Sequence, residues 1–418
     1  MITGTFIPAA GSEEKHAASW LNGITKALQA LLPDIILPAP IVPVAHRMTT
    51  CSTQPCRFWS SETSCKPIKD GLMSCKPDLV LREGPSLIGP QPEFLWKDVI
   101  SFMELTSTSY SDSDSTGTIR NGVTRKVYAI FASQPTRRFL LTLSIAQQEF
   151  CVHMFDRAGV VHSHAYSIHR SPRILLCMLA VLTFGQPEHV GFDPTIIYSS
   201  PTSQISSNNT IQVGSATYSI IRRIFFNYLI CGRGTTCWHV HQNGEDFVIK
   251  DSWTHESWIN CEADILSKIH GLKGVPQLVT AWTVQIEGSD DRTDARCAFI
   301  PSSIRIRVHR WLLMQPVGLP LSEFKSLREL LSIFIDVLDS TSELLLHFSL
   351  ADLTTFIAHK ALVQEFRVLH RDVSVNNIMI YNCDVPASET SDSRGEEVTQ
   401  SNDPDSGEGE ESLEEKLV

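Results

Sequence analysis

The sequence predicts an α+β protein with two ordered regions, because strand and helix patterns alternate along two stretches of the chain. The negative charge is concentrated at the C-terminal end, which sets a tail apart from these regions. Its 418 residues are 42% apolar and 19% charged, which is enough material for one large or two ordinary domains with cores. We divide the chain into a helix with a loop or linker (1–75), a separate α+β domain (76–200), a second ordered region (211–382) and an acidic tail (383–418).

The net charge of −11 belongs almost wholly to the tail. Residues 384–418 hold 12 Asp or Glu against 2 Lys or Arg, so the remainder of the chain is nearly neutral. A neutral body lacks the basic surface that nucleic acid requires, so we expect no nucleic-acid partner. The tail is typical of a disordered segment, and its charge would attract a basic partner.

The start of the chain lacks the features of a secretory signal, since Met1–Gly11 has no basic residues followed by a sustained apolar run. The longest apolar run, Ile174–Phe184, is about half as long as a bilayer requires. We therefore expect an intracellular protein of the cytoplasm or nucleus, with no membrane association and with reduced thiols. Four cysteines lie close together without a C-x-x-C pair, which disfavours a zinc site: Cys51, Cys56, Cys65 and Cys75.

Apolar periodicity predicts the elements of the first ordered region. A helix over 13–33 is predicted from apolar residues at three- and four-residue steps, and Pro33 ends it. The segment 38–75 is interpreted as a loop. Further elements are strands over 99–105, 139–145 and 150–155, and helices over 122–132 and 172–184.

The second region begins after a polar joint at 201–210. Its predicted elements are strands over 226–231 and 246–250 around a glycine turn, a helix over 256–270, strands over 278–286 and 305–314, and a helix over 322–338.

The glycine turn carries Gly232 and Gly234, whose backbone amides could approach a phosphate. Taken alone, an ordinary hairpin turn explains the two glycines better, because Cys237 stands where a third glycine would complete the motif. Lys250 ends the apolar strand that follows, and in isolation it would be interpreted as a solvated lysine.

Glu262 follows twelve residues after Lys250, on a helix whose apolar positions would face a core. The ordered series of glycine turn, lysine and helical glutamate favours an ion pair between Lys250 and Glu262 over a solvated carboxylate. Farther along, Met314 and Gln315 begin a strand-to-turn segment that reaches Gly318. Backbone groups in such a hinge could hydrogen-bond an adenine.

The segment 368–380 has the most specific spacing in the chain. His370, Arg371 and Asp372 are followed by Asn377 and then by a short apolar strand, the spacing of a protein-kinase catalytic loop. In that loop the Asp accepts the proton of the substrate hydroxyl and the Asn holds Mg2+. We therefore assign these two roles to Asp372 and Asn377, while Arg371 would lie near an activation-segment phosphate and His370 would brace the loop.

Together with motifs farther upstream, these residues resemble the fungal-specific protein kinase family, from about Lys76 to Asn382. The upstream motifs are Lys76-Pro77-Asp78-Leu79, Trp96-Lys97-Asp98-Val99, Gln134-Pro135-Thr136-Arg137-Arg138-Phe139, Phe155-Asp156-Arg157-Ala158-Gly159, Gly191-Phe192-Asp193-Pro194-Thr195 and Lys250-Asp251-Ser252-Trp253. The resemblance implies a protein-kinase-like small lobe and the start of the large lobe over 211–382, with ATP, Mg2+ and transfer to Ser or Thr hydroxyls. It does not identify the protein substrate.

Two departures from the kinase pattern leave other functions open. No Asp-Phe-Gly triplet follows Ile380, and Ser374 replaces the lysine usual in serine/threonine kinases. We therefore expect a C-terminally truncated kinase that is weak or inactive, with a pseudokinase or interaction module as the alternative. A small-molecule kinase is disfavoured by Arg371, where a Gly is common in those enzymes.

The first region also resembles, faintly, the core of metal-dependent nucleases. Asp78 after a proline and Glu104 at a strand end could hold a metal, but Thr106 stands where that pattern has a lysine. We therefore expect a structural domain packed on the kinase lobe in preference to an active nuclease.

Overall fold

The structure is a computed structural model that describes residues 13–31, 57–69, 74–83, 94–107, 109–110, 113–197, 209–272, 275–296, 305–331 and 379–381. The described residues belong to one compact unit, Met1–Tyr381, while the second unit, Asn382–Val418, lies outside them with the predicted acidic tail. The unit is a mixed α+β structure, which confirms the predicted fold class.

Seven strands form the first sheet, in the order β1-β2-β3-β4-β5-β6, with β7 paired to β5. They are β1 (Arg57–Ser60), β2 (Leu79–Glu83), β3 (Val99–Thr106), β4 (Phe139–Ala146), β5 (Glu149–Asp156), β6 (Gly159–His162) and β7 (Tyr166–Ser167). Only β3 and β4 of this sheet are parallel, because a helix connects them.

Three helices cover the two faces of this sheet: α1 (Glu13–Leu31), α2 (Ser113–Ser133) and α3 (Pro172–Phe184). Helices α1 and α3 share one core with the sheet, in which Leu21, Leu143 and Leu179 are fully buried. Helix α2 packs in a second core, where Val127 and Phe131 meet Phe102. The predicted elements of this region all appear, and α2 begins earlier than predicted.

Strand β1 lies inside the segment that we interpreted as a loop. The side chain of Asn22 on α1 bonds both the N–H and the carbonyl of Trp59 at 2.9 Å. Arg57 donates to the carbonyls of Leu182 and Gly185, at the C-terminal end of α3. Distant partners therefore satisfy this edge strand and the helix end together.

The second sheet also has seven strands, in the order β13-β16-β12-β11-β10-β9-β8. They are β8 (Ile196–Ile197), β9 (Thr210–Val213), β10 (Ala216–Phe226), β11 (Thr236–Gln242), β12 (Glu245–His255), β13 (Gln277–Thr283) and β16 (Arg307–Gln315). Every pairing in this sheet is antiparallel. Helix α4 (Cys261–Lys268) packs on it, with Leu266 against Leu312 and Met314.

Two short strand pairs complete the described structure: β14 (Gln285–Ile286) with β15 (Ser289–Asp290), and β17 (Leu319–Pro320) with β18 (Met379–Ile380). The 3-10 helices are Trp96–Asp98, Pro187–Val190, Glu256–Trp258, Asp294–Arg296 and Leu321–Glu323. None of the helices in the described ranges is long and apolar enough to span a membrane.

Two predictions for the second region need correction. The strand predicted over 226–231 is β10, which ends at Phe226, and the strand β11 was not predicted. The helix predicted over 322–338 begins with a 3-10 turn, Leu321–Glu323, and resumes over 327–331, beyond which it lies outside the described residues.

Candidate functional site

An ion pair between Lys250 and Glu262 links the second sheet to helix α4. Lys250 is on β12 and Glu262 is in the first turn of α4, and the lysine Nζ donates to the Oε1 of the glutamate. Both side chains are accessible to solvent, with 22% of Lys250 and 34% of Glu262 exposed. The packing of α4 on β16 brings Glu262 within hydrogen-bonding distance of Lys250.

Arg233 also binds Glu262, a contact that the sequence did not predict. This residue lies between the two glycines of the turn and donates from Nη2 to the Glu262 Oε2 at 2.6 Å. Burial alone would raise the pKa of Glu262, but the charges and hydrogen bonds of Lys250 and Arg233 outweigh it and lower that pKa. One carboxylate thus faces two cations, which leaves a local excess of positive charge.

The glycine turn spans residues 227–235 between β10 and β11, so it is longer than a tight hairpin. It closes where the Asn227 N–H donates to the Thr235 carbonyl at 2.8 Å and the Trp253 N–H donates to the Arg233 carbonyl at 2.7 Å. Gly232 has a φ of +124°, which L side chains rarely adopt, and a Cβ there would meet open space. The Cβ side of Gly232 is therefore open, while its N–H donates to the Arg157 carbonyl at 3.0 Å.

Cys237, at the position where a third glycine would complete the motif, lies on β11 directly opposite Lys250. Burial raises the pKa of its thiol to about 11, so the thiol stays protonated at neutral pH. It is a strand residue beneath the turn and not part of it.

The predicted hinge residues lie at the end of β16. Met314 pairs with Val248 on one side and with Leu278 on the other, and Gln315 is the last residue of the strand. A cis peptide bond joins Gln315 to Pro316.

The chain that follows Asn377 returns to this hinge. Strand β18, which contains Met379, pairs with β17 directly after Gly318. A Cβ on Gly318 would lie 2.7 Å from the Met379 Cβ, so the two segments touch. His370, Arg371, Asp372 and Asn377 lie outside the described residues, and their assigned roles stay predictions.

The described residues contain no group of three or more His, Cys, Asp or Glu side chains that could hold a metal ion. Cys65 and Cys75 are free thiols, while Cys51 and Cys56 lie outside the described part of the chain.

The carboxylates of the nuclease-like pattern lie near each other at the carboxyl end of β3. The Leu105 N–H donates to the Asp78 Oδ2 at 2.7 Å, and Lys126 from α2 donates to the Glu104 Oε2. The nuclease pattern has a lysine at position 106, where this chain has Thr106. Here a lysine from helix α2, Lys126, contacts Glu104 instead. Burial, with a smaller contribution from Asp78, raises the pKa of Glu104 to about 7, although Lys126 opposes the shift.

The model of the fungal protein kinase family matches residues 76–299 and 296–397 of this chain. The match spans the first sheet from β2 onward, the second sheet and the segment with Asp372. The chain belongs to the fungal protein kinase family. No curated protein gave a significant match.

Membership gives the cluster around Glu262 a context. A glycine-rich loop, a strand lysine and a helix glutamate are the parts with which kinases in general hold a nucleotide. Residues 76–197 belong to the same family match, so the first sheet is part of what defines this kinase family.

Proposed function

We propose that the glycine turn, Lys250 and the hinge together bind ATP with Mg2+, and that the chain transfers phosphate to Ser or Thr hydroxyls of a protein. The pairing of Lys250 with Glu262 is the observation that supports nucleotide binding. Glu262 orients the ammonium, while Arg233 leaves the cluster with an excess positive charge that suits phosphates.

Each part of a nucleotide has a matching group at this site. Gly232 has no side chain to block a phosphate, although its N–H already donates to the Arg157 carbonyl, and Lys250 would bind the α and β phosphates. Backbone groups of the hinge from Met314 to Gly318 would hydrogen-bond the adenine. Asn377 would hold the magnesium ion, which neutralises charge on the phosphates, and Asp372 would accept the proton of the substrate hydroxyl.

Nucleotide binding by the full chain tests the first half of the proposal. We expect Lys250→Met to weaken the affinity for ATP with Mg2+ by roughly 10- to 100-fold, because it removes a charge-assisted contact to phosphate. Lys268→Met is the matched control, since Lys268 is an exposed lysine of the same helix that carries Glu262. Calorimetry should show affinity within about 2-fold of wild type for this control; equal losses in both variants, or no binding by wild type, would contradict the proposal.

Phosphate transfer tests the second half. We expect slow transfer from γ-labelled ATP to a protein substrate, because Ser374 replaces a lysine that contacts phosphate in most serine/threonine kinases. The transfer should disappear in Asp372→Ala.

Ser374 also favours the second candidate, a module that binds nucleotide without transferring phosphate. Nucleotide binding by wild type with transfer no greater than that of Asp372→Ala would support this candidate and exclude the kinase.

A further inference from the structure

The chain that leads into the glycine turn lies against the first sheet region. Tyr228 meets Tyr128 of α2 edge to face, with ring centroids 5.7 Å apart. Ile230 packs against the core that α2 forms with the first sheet. The turn therefore rests on a surface outside the kinase small lobe.

Arg157 makes the closest contacts between this surface and the turn. It lies in the two-residue hairpin between β5 and β6, where Asp156 pairs with Gly159. Its carbonyl accepts from the Gly232 N–H at 3.0 Å, and its guanidinium donates to the Leu229 carbonyl.

The guanidinium of Arg157 also lies directly beneath the second glycine. A Cβ on Gly234 would be 2.6 Å from the guanidinium carbon, so only a glycine fits this close approach. Phe131 of α2 holds the guanidinium from the other side, at 4.7 Å from its ring centroid. With 1% of its surface exposed, the arginine is a buried part of the structure.

A second set of contacts ties the strand of Lys250 to the same region. Asp251 accepts from His309 Nε2 at 2.7 Å, and the other ring nitrogen of His309 lies 3.0 Å from Asp291. Arg138, just before β4, donates to Asp291 at 3.1 Å. The glycine turn and the lysine strand are thus both positioned by the first sheet region.

We propose that Arg157 is a positioning residue for the nucleotide site, through which the first sheet region holds the glycine turn in the conformation that receives phosphate. The inference rests on the proposed function, since it concerns the same nucleotide. It assigns a role to the Phe155-Asp156-Arg157-Ala158-Gly159 motif, which the kinase small lobe alone leaves unexplained.

The test compares Arg157→Lys and Arg157→Gln with Arg137→Gln in the full chain. Arg137 is equally buried at 1% exposure, but it donates to the Gln134 side chain and to the backbone carbonyls of Val99, Ile100 and Val190, none of which is in the glycine turn. Substitutions at either site should lower the melting temperature, because each removes a buried, hydrogen-bonded arginine. Well below melting, we expect the Arg157 variants to weaken affinity for ADP with Mg2+ at least 10-fold, and Arg137→Gln to change it less than 2-fold.

Hydrogen exchange separates this inference from the proposed function. The Gly232 amide should exchange at least 10-fold faster in Arg157→Lys than in wild type, whether or not a nucleotide is present. If wild type binds no nucleotide while exchange still increases, the proposed function fails and the contact with the turn stands. Unchanged exchange, or equal loss of affinity in the Arg157 and Arg137 variants, would overturn the inference.

A surface variant covers the case in which the buried arginine variants do not fold. Tyr228 is 38% exposed, so Tyr228→Ala removes its contact with Tyr128 without leaving a buried charge. We expect a 2- to 5-fold loss of affinity and faster exchange over 228–234. Wild-type behaviour in both measurements would count against the positioning role.

Discussion

Among the described residues, two lysine–glutamate pairs link a strand to a helix, one in each sheet region, and the charges around them are opposite. Lys126 meets Glu104, with Asp78 nearby, and their side chains are only 11% and 15% exposed. Lys250 meets Glu262, with Arg233 as a second cation, and these side chains are 22% and 34% exposed. In the first cluster one cation faces two carboxylates; in the second, one carboxylate faces two cations.

The difference in burial and charge predicts different roles for the two lysine–glutamate ion pairs. Burial and a second carboxylate raise the pKa of Glu104, whereas two cations lower that of Glu262. The first pair therefore acts as a brace between α2 and the sheet. The second is open to solvent and has spare positive charge, as an anion site requires.

Lys126→Met should have the largest effect on stability. It leaves Glu104 and Asp78 buried without their cation, which should cost about 3 kcal/mol of unfolding free energy at pH 8. The folded-state pKa of Glu104 is raised to about 7, above its ordinary value of 4.5, so the protonated form is favoured and stability falls as pH rises through this window. Urea denaturation should therefore show a much smaller cost at pH 5.

Lys250→Met is the matched control for this prediction. Its pair is more exposed, so we expect a loss below about 1 kcal/mol, although the same variant loses nucleotide affinity. Equal losses of stability in the two variants would remove the contrast between the pairs.

The joint between the two regions should produce the next largest effect, through His309. Burial alone would lower its pKa, but Asp251 and Asp291 raise it to about 9. Asp193 and Arg138 complete the surrounding charges. Because this pKa is raised in the folded state, the stabilisation is complete below pH 6.5 and is lost as pH rises through 9.

Thermal unfolding between pH 7.5 and 9.5 measures this loss where Glu104 is mostly ionised. Wild type should lose roughly 2 kcal/mol across the window. His309→Gln should be less stable at pH 7.5 and should show a clearly shallower slope up to 9.5, because the buried Cys237 thiol, whose pKa is also raised, still contributes a pH dependence there. A similar slope in both proteins would assign the dependence to other groups.

Arg233→Gln should have the smallest effect and would sharpen the comparison. It reduces the second cluster to one cation and one carboxylate, so affinity for ATP with Mg2+ should fall about 3-fold. The unfolding free energy should change by less than about 0.5 kcal/mol, because Arg233 is 51% exposed. Calorimetry with increasing salt should show a weaker salt dependence than wild type, and an unchanged affinity would argue against an anion site.

The elements with strong local signals were predicted from the sequence, and those built by distant contacts were not. Helix α3 has the predicted bounds because both of its ends have a local signal in the sequence. Its thirteen residues begin at Pro172, a residue favoured in the first helical turn, and end directly before Gly185. Strand β1 was missed because Asn22 and the end of α3 supply its partners. The apolar residues after Phe226 were misassigned to a strand, since Tyr228 instead contacts Tyr128 of α2 and Ile230 packs against the core that α2 forms.

The sequence by itself determined the family and the order of the kinase parts, because the spacing of Gly232, Lys250, Glu262 and Asp372 is a property of the linear chain. Only the tertiary structure decided which charges meet. Arg157 reaches the glycine turn from a hairpin in the other sheet, and Lys126 reaches Glu104 from a helix. Such contacts depend on how the sheets and helices pack against one another. The energy of a buried charge also depends on all of its neighbours in space, and the spacing of residues along the chain does not encode those neighbours.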